Sequence, residues 1–527
     1  MENTEKATSY DEVPYGSHAF AQSHPDRLAV MGRLFGLSPA RIEECRVLEL
    51  GCASGGNLIP MACHLPGSKF VGVDASARQV ESASKIIQDL ELKNIRIKQA
   101  DILDVDRSWE TFDYIICHGV YSWVPEEVRD KILSISSENL APEGIAYVSY
   151  NTYPGWHMRG MIRHMMLYHV RHLRDHRQRI DQAKALVEFL SGSVPTENNP
   201  YGMLLKSELD ILNSLKDWHF FHDHLEGVND PVYFHDFAEQ AGKHGLQYLG
   251  ESEFGSMLTE RMPPKVAETL RKINKNIIAT EQYMDFLRNR HFRQTLLCHK
   301  GRNLKRNVGP DDVKNFLIAS LARPENDPPD LSPSKGETFR GPGGQTIHAN
   351  NPLIKAALVI LREKWPLGLD LDTLFDATIQ RLKEALGTEV SPGKNARQAL
   401  ALDLLRGYSG NTVIFRTWKG SFSTDISGRP RVTPLTMYQN RQQNSVVNLY
   451  HEMIRLDPLL RHMISFIDGT RDRSGLLDEL SDLIKEGTLS AQRDNQPITN
   501  LEDIRNELEK DVDRRLAYLA ESGLLVE

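Results

Sequence analysis

The stretch VLELGCASGGNL, residues 47–58, constrains the fold of this 527-residue chain more than any other part of the sequence. The apolar run CRVLEL predicts a short buried strand, and GGNLIPMACHL after it has the spacing of a helix. Glycines at a strand-to-helix junction let the backbone approach a ligand closely, while the free N–H groups of the helix start face that ligand. The junction therefore predicts an α/β sheet that binds a nucleotide.

Acidic residues end three successive predicted strands: Glu49, Asp74 in SKFVGVD, and Asp101 in NIRIKQADILDV. Gly51-x-Ala53-x-x-Gly56 is close to a dinucleotide fingerprint with Asp74 in the ribose position, so a nicotinamide enzyme is one alternative. A Rossmann-like domain without a bound cofactor is another. Glu49 favours S-adenosylmethionine, because a carboxylate there repels a pyrophosphate but can help to hold the methionine ammonium. Asp74 then suits the ribose hydroxyls.

The third carboxylate, Asp101, is placed to accept a hydrogen bond from the adenine amino group, with Ile102 against the ring. The whole pattern resembles that of class I methyltransferases, whose E/D-x-G-x-G-x-G turn appears here with Ala53 in place of the central glycine. The cofactor contacts that we expect near this turn and these strand ends are Glu49, Gly51, Cys52, Ala53, Gly55, Asp74, Ala75, Asp101 and Ile102.

Two loops should face the methyl group, because they follow the fourth and fifth predicted strands, and ligands bind at the carboxyl ends of such strands. They contain aromatic and polar residues, which suit a cationic methyl donor and an amine acceptor that must lose a proton. We expect catalytic roles for His118, which also faces the cofactor, and for Tyr121, Trp123, Asn151 and Tyr153, with Trp156 contacting the substrate. The alternatives are packing against the core for the tyrosines and tryptophans, a hydrogen bond to backbone for His118, and turn capping for Asn151. The first loop lacks N/D-P-P-Y, which disfavours methylation of a nucleobase amine.

The order of predicted elements defines the fold class as α/β. A Rossmann-like, seven-stranded class I methyltransferase sheet occupies residues 1–300, with a helical insertion at about 157–230. Helices followed by strands then predict α+β, winged-helix-like domains at 301–435 and 436–527. His172 and His176 lie one helical turn apart, but no carboxylate or cysteine framework completes a metal site there, so we expect no metal.

Composition excludes several classes of protein. The net charge of −8 argues against a chain that coats nucleic acid, and the five cysteines form no CxxC pair. No signal peptide or membrane-spanning run is apparent, so we expect a cytoplasmic protein without membrane insertion. Winged helices often bind DNA, but near-neutral charge favours protein docking or dimerisation here.

Four stretches carry a closer resemblance: SYDEVPYGSHAFAQSHPDRLAVMGRLFGL, CRVLELGCASGGNLIPMA, FDYIICHGVYSWVP and VSYNTYPGWHMR. They are similar to bacterial methyltransferases with a methyltransferase regulatory domain, which include the rickettsial protein lysine methyltransferases acting on outer membrane protein B. The resemblance implies a homodimer, S-adenosyl-L-methionine converted to S-adenosyl-L-homocysteine, and lysine ε-amino groups of an outer-membrane or surface protein as acceptors. It also implies an N-terminal segment over the cofactor, with Tyr15 on the cofactor and Tyr10 and His24 on the substrate. A cofactor-binding regulatory or scaffold protein, or a methyltransferase for a small molecule or RNA, are the alternatives.

Overall fold

The computed structural model of the chain describes residues 16–273, 276–387, 392–423, 426–489, 492–493, 496–497 and 500–526. Tyr10 and Tyr15, which the sequence assigns to the substrate and the cofactor, lie outside the described residues. Within the described ranges, no helix combines the length and the apolar character that a bilayer span requires.

In the described part of the chain, a seven-stranded mixed sheet forms the centre of the N-terminal region. Its strands are β1 (Arg46–Leu50), β2 (Lys69–Asp74), β3 (Ile95–Gln99), β4 (Phe112–Cys117), β5 (Leu140–Asn151), β6 (Leu246–Glu251) and β7 (Phe292–His299). They lie in the order β3-β2-β1-β4-β5-β7-β6. Strands β1 to β5 are parallel, and β7 runs antiparallel to β5 and β6. The predicted fold of this region is confirmed, and the strand order reverses beside β1, which places a crevice at its carboxyl end.

Helices cover both faces of this sheet, and four of them form a separate unit. They are α1 (Pro25–Leu34), α2 (Leu58–His64), α3 (Ala77–Asp89), α4 (Glu126–Glu138), α5 (Gly155–Val170), α6 (His176–Ser193), α7 (Pro200–Ser214), α8 (Asp217–Leu225), α9 (Phe234–Lys243), α10 (Pro264–Ile273) and α11 (Ile277–Arg288). Helices α5 to α8 share their own apolar core, which includes Met166, Val187, Leu205 and Phe220. They fall where the sequence predicts a helical insertion.

A buried ion network fixes the last two strands and α11. The guanidinium of Arg293 is fully buried. It donates to Glu251 Oε1 at 2.6 Å, to Asp285 Oδ2 at 2.8 Å and to Glu281 Oε2 at 3.0 Å. Arg290 reaches the second oxygen of Glu251 at 3.2 Å. A planar guanidinium can serve several carboxylates at once, so Arg293 compensates charges that would otherwise be buried without a partner.

The C-terminal half is built from helices and short strands. Its first part contains β8 (Leu317–Ala319), β9 (Arg323–Pro324), β10 (Glu337–Arg340), β11 (Thr346–Ala349), α12 (Pro352–Lys364), α13 (Leu371–Leu386), α14 (Ala396–Ser409) and β12 (Ile414–Arg416). Its second part contains β13 (Arg431–Val432), α15 (Pro434–Gln442), β14 (Ser445–Val447), β15 (Met453–Arg455), α16 (Pro458–Phe466), α17 (Arg473–Lys485), β16 (Gln492–Arg493), β17 (Gln496–Pro497), α18 (Leu501–Glu521) and β18 (Leu525–Val526). The second part has an apolar core of its own, formed largely by leucine and isoleucine side chains of its helices.

Direct contacts join these C-terminal parts to each other and to the N-terminal sheet. Asp26 at the start of α1 accepts hydrogen bonds from the N–H and the hydroxyl of Thr417, both at 2.7 Å. The Trp365 indole N–H donates to the Glu521 carbonyl oxygen at 2.6 Å, which joins the two C-terminal parts. These contacts tie the C-terminal half to the start of α1 and its two parts to each other.

Candidate active site

The turn between β1 and α2 has the backbone conformation of a loop that cradles a ligand. Gly51 and Gly55 have φ angles of +70° and +75°, in the left-handed region that favours glycine. The N–H groups of Gly51 and Cys52 donate to the Val73 carbonyl oxygen at 2.8 and 3.0 Å, which ties the turn to the end of β2. A Cβ atom on Gly51 would lie 2.5 Å from the Val120 side chain, so a larger residue does not fit there.

Ala53 keeps the backbone of the motif although it is not glycine. Its φ angle is +47°, again left-handed, which costs an alanine roughly 1 kcal/mol. Its N–H donates to Asp74 Oδ2 at 2.8 Å, and the Ser76 N–H donates to Asp74 Oδ1 at 2.9 Å. A carboxylate has about four acceptor sites, enough for these two groups and for the hydroxyls of a ribose. The placement of Asp74 therefore fits the predicted role.

The ends of β2 and β3 hold the other residues that the sequence assigns to the adenosine. Asp101 is exposed, and one of its carboxylate oxygens accepts the Leu103 N–H at 2.9 Å. Ile102 is half-buried against the apolar cluster on that face of the sheet, and Ala75 is exposed beside Asp74. Strands β1, β2 and β3 are adjacent and parallel, so Glu49, Asp74 and Asp101 lie along one edge of the sheet.

Glu49 is the buried carboxylate of this edge of the sheet. It is 3% exposed, and its Oε1 accepts a hydrogen bond from Asn57 Nδ2 at 2.7 Å. Its Oε2 is buried and has no hydrogen-bond partner among the described residues. Burial raises the pKa of Glu49 to about 8, the hydrogen bond from Asn57 opposes that rise, and the charge of Asp74 adds to it. A buried carboxylate oxygen without a donor is complementary to an ammonium group, so the site fits the amino-acid end of S-adenosylmethionine.

His118 forms a neutral wall at the end of β4. Its Nδ1 lies 2.9 Å from the Tyr147 hydroxyl and 3.3 Å from Ser149 Oγ, and the Phe20 ring centroid lies 3.8 Å from its own. Burial lowers the pKa of His118 to about 4, so the ring is uncharged at neutral pH. The next residue, Gly119, has a φ angle of +69° and open space where a Cβ atom would be.

The other predicted catalytic residues lie in different surroundings. Tyr121 is 4% exposed and packs in the core against Phe237 and Tyr150. Trp123 and Trp156 meet edge to face at 6.4 Å between ring centroids. In the structure, Trp123 and Trp156 therefore contact each other. The Tyr121 ring lies in the core.

Asn151 and Tyr153 follow β5. Asn151 is buried, and its Nδ2 donates to Asn229 Oδ1 at 3.0 Å. Tyr153 stacks on His157 at 4.1 Å between centroids. Tyr153, together with Trp156, lines a groove of about 860 Å³ on the helical unit.

The N-terminal segment before α1 crosses the glycine turn. Gly56 N–H donates to Ser17 Oγ at 2.6 Å, and Phe20 N–H donates to Asn57 Oδ1 at 2.9 Å. Sequence reasoning missed Ser17, Phe20 and Asn57. Asn57 had a signal, since it is the polar residue between the glycines and the apolar helix; nothing in the local sequence marks Ser17 or Phe20.

A cavity of about 590 Å³ lies beyond this segment, between the sheet and the C-terminal half. Gln22, His24 and Gln294 line it on the sheet side. His24 is 7% exposed, and its Nδ1 accepts the Asp26 N–H at 3.2 Å at the start of α1. The Gln22 side chain also lies within hydrogen-bonding reach of the Tyr147 hydroxyl, so this wall of the cavity reaches the neighbourhood of His118.

Family models match three parts of the chain. Residues 42–189 match a methyltransferase domain, residues 216–299 a predicted methyltransferase regulatory domain, and residues 428–524 the C-terminal winged helix domain of PKMT. The winged helix predicted at the C-terminus is thereby confirmed. The regulatory-domain match includes β6 and β7, and because β7 pairs with β5 and β6 pairs with β7, this segment completes the sheet.

Whole-chain relatives agree with these matches. The uncharacterized protein RP789 of Rickettsia prowazekii is 38% identical over 525 residues, which cover 98% of this chain and 93% of that protein. The solved structure of PKMT2 from Rickettsia typhi in complex with AdoHcy superposes with a TM-score of 0.87 at 31% identity. That comparison covers 98% of this chain and all of PKMT2.

The fold, the carboxylates at the strand ends and the relatives all indicate the same cofactor and the same family. The glycine turn, Asp74 and the unsatisfied oxygen of Glu49 fit S-adenosylmethionine, and the full-length relatives share the whole domain arrangement. The chain belongs to the family of S-adenosylmethionine-dependent methyltransferases that carry the methyltransferase regulatory domain and the PKMT winged helix.

Proposed function

We propose that this methyltransferase modifies lysine ε-amino groups of a protein substrate. The observation that carries the proposal is the 590 Å³ cavity beside the cofactor site, which combines carboxylates with aromatic rings. Carboxylates attract a lysine side chain, and aromatic faces accept its cationic head and its methylated products. The relative named PKMT2 shares the complete fold, which supports the same class of substrate.

Three carboxylate residues line this cavity: the buried Asp26, and Glu253 and Glu452, which supply its negative side. Glu253 accepts a hydrogen bond from Asn411 Nδ2 at 2.6 Å, and Glu452 lies 3.5 Å from Arg27. Both line the cavity from opposite halves of the chain. They are suited to attract a basic segment, because neither carboxylate is engaged in a buried ion network.

The aromatic side of the cavity already holds a cation. The guanidinium of Arg416 lies 4.6 Å from the ring centroid of Tyr450, 4.9 Å from Phe422 and 5.2 Å from Trp365. All four residues line the cavity. The positive charge of Arg416 favours the neutral form of an amine that approaches these rings, which is the form that can attack the methyl group.

The acceptor must be a neutral amine when it attacks. His118 is too weak a base to take the proton from a lysine ammonium. Ordinary lysine has a pKa of about 10.4, against about 4 for His118, a difference of roughly 9 kcal/mol. The lysine is therefore expected to lose its proton to water as the cavity desolvates it. When bound, S-adenosylmethionine supplies a methyl group on a positively charged sulfur. Phe20 and His118 exclude water beside that position and orient the amine for in-line attack.

We also propose that the helical unit forms a homodimer. Large apolar side chains on α5 to α7 face solvent: Tyr168 is 68% exposed, Phe189 67% and Met203 61%. Surface concentrations of this kind mark interaction sites in soluble proteins. A second copy of the chain would cover them, as the resemblance to dimeric relatives implies.

The test uses the full-length protein, cofactor with a labelled methyl group, and a lysine-containing outer-membrane protein fragment. We expect label on lysine, located by mass spectrometry. The matched control is the same fragment with its lysines acetylated, which removes the nucleophilic lone pair of each ε-nitrogen, so this fragment should take up far less label. The double variant Glu253→Gln and Glu452→Gln should keep cofactor affinity and lose activity. Label in a nonprotein fraction, or on other residue types, would refute the proposal.

A further inference from the structure

A turn of the C-terminal winged helix domain reaches the cofactor turn. It connects β14 to β15 and holds His451 at a φ angle of +63°. The Asn448 side chain accepts the Glu452 N–H at 2.8 Å, and the Leu449 N–H donates to the Gly523 carbonyl oxygen at 3.0 Å beyond the end of α18. A left-handed φ is uncommon for histidine and persists only where surrounding contacts hold it. The turn is therefore built to present this side chain.

The imidazole of His451 contacts Asn57, across 394 residues of sequence. Its Nε2 lies 2.8 Å from Asn57 Oδ1, and Asn57 Nδ2 donates to Glu49 Oε1 at 2.7 Å. The Phe20 N–H donates to the same Asn57 oxygen at 2.9 Å. His451 is 1% exposed, and Asn57 and Glu49 are each 3% exposed, so these bonds are shielded from water.

The directions of these bonds follow from chemistry. The Phe20 backbone N–H can only donate, so the amide oxygen of Asn57 must face Phe20 and His451, and the amide nitrogen faces Glu49. His451 therefore donates from Nε2, as the neutral Nε2–H tautomer. Its Nδ1 is buried and has no hydrogen-bond partner among the described residues. Burial lowers the pKa of His451 well below its ordinary value, which is consistent with a neutral ring.

We propose that His451 is a positioning residue of the cofactor site: it holds the Asn57 amide, which holds the Glu49 carboxylate. Docking of the winged helix domain then strengthens cofactor binding. By thermodynamic reciprocity, cofactor binding strengthens the docking of that domain. This inference concerns the cofactor site alone and goes beyond the proposed acceptor, so failure of lysine methylation would leave it standing.

The first test measures affinity for S-adenosylhomocysteine by calorimetry on full-length variants. His451→Ala should weaken binding about fivefold, the loss expected for one hydrogen bond. His451→Gln retains an N–H donor and should recover most of it. His462→Ala, in the same domain but lining a different cavity, is the matched control and should not change affinity. Unchanged affinity in a folded His451→Ala variant would overturn the proposal.

Two further measurements separate positioning from general stability. If His451 acts through Asn57, the double variant with Asn57→Ala should bind no more weakly than Asn57→Ala alone; independent, additive losses would contradict the proposal. Hydrogen exchange on the wild-type chain needs no variant. Saturating S-adenosylhomocysteine should slow amide exchange in β14 and β15. Exchange there that is the same with and without the ligand would also contradict it.

Discussion

Lowering the pH from 8 to 6 should weaken the binding of S-adenosylhomocysteine, because Glu49 must lose a proton to pair with the ligand's ammonium. Burial raises the pKa of this carboxyl to about 8 in the ligand-free protein. The ionised fraction is then about one half at pH 8, one tenth at pH 7 and one hundredth at pH 6. With the ammonium in place, the carboxylate keeps its charge across this range. The ligand's own ammonium, with an ordinary pKa of about 8, is half deprotonated at pH 8 and offsets a factor of about two, so the dissociation constant should rise about 25-fold from pH 8 to pH 6.

Calorimetry in buffers of different ionisation enthalpy measures the proton count directly. At pH 7 we expect nearly one proton released per ligand bound by the wild-type chain. The variant Glu49→Gln keeps the shape but cannot titrate, so its weaker binding should vary by no more than about twofold over this range, through the ligand's own ammonium. Above pH 8 the ligand's own ammonium, with an ordinary pKa of about 8, deprotonates and affinity should fall again. Proton release near zero, or the same profile in Glu49→Gln, would refute the reasoning.

The raised pKa of Glu49 also predicts that the stability of the ligand-free protein falls as pH rises, whereas its affinity for the ligand increases. Below pH 4.5 Glu49 is protonated in the folded and the unfolded chain and contributes no difference. Between 4.5 and 8 the unfolded chain has lost the proton that the folded protein keeps, so the free energy of unfolding falls as pH rises. Above pH 8 the cost reaches roughly 5 kcal/mol. Glu49→Gln should therefore raise the melting temperature of the ligand-free protein at pH 8 and leave it unchanged at pH 4.

Three other outcomes are expected from single substitutions. Arg293→Met should lower the free energy of unfolding by about 3–5 kcal/mol in urea, because it leaves buried carboxylates uncompensated; a loss below 1 kcal/mol would contradict that role. Asp74→Ala should weaken S-adenosylhomocysteine binding about 100-fold through two charge-assisted hydrogen bonds, against about tenfold for the exposed Asp101→Ala. Phe189→Glu should give a monomer by sedimentation, whereas Ile273→Glu, an exposed apolar position outside the helical unit, should not; equal masses would refute the proposed dimer face.

Local patterns predicted the N-terminal sheet because each strand carries its own signal. Residues Arg46–Leu50 are apolar apart from Arg46 and Glu49 and are almost wholly buried, and the glycines follow immediately. The insertion of β7 between β5 and β6 was not predictable in detail, since the register of β7 on β5 depends on residues about 145 positions apart in the chain. The three-stranded sheet β11-β10-β9 ahead of α12 was also missed. Its strands have two to four residues, too few for a periodic signal.

Some features of the cofactor site follow from the nearby sequence, and others depend on residues far away in the chain. The type and position of Glu49, Asp74 and the glycine turn follow from a contiguous stretch and its neighbouring strand, so the sequence predicted a cofactor edge there. The burial that sets the pKa of Glu49 does not follow from that stretch. Asn57 accounts for part of its surroundings, and His451 reaches Asn57 from the far end of the chain. A strand-end carboxylate in an open crevice would keep an ordinary pKa, so proton release on ligand binding reports how completely the rest of the protein encloses this residue.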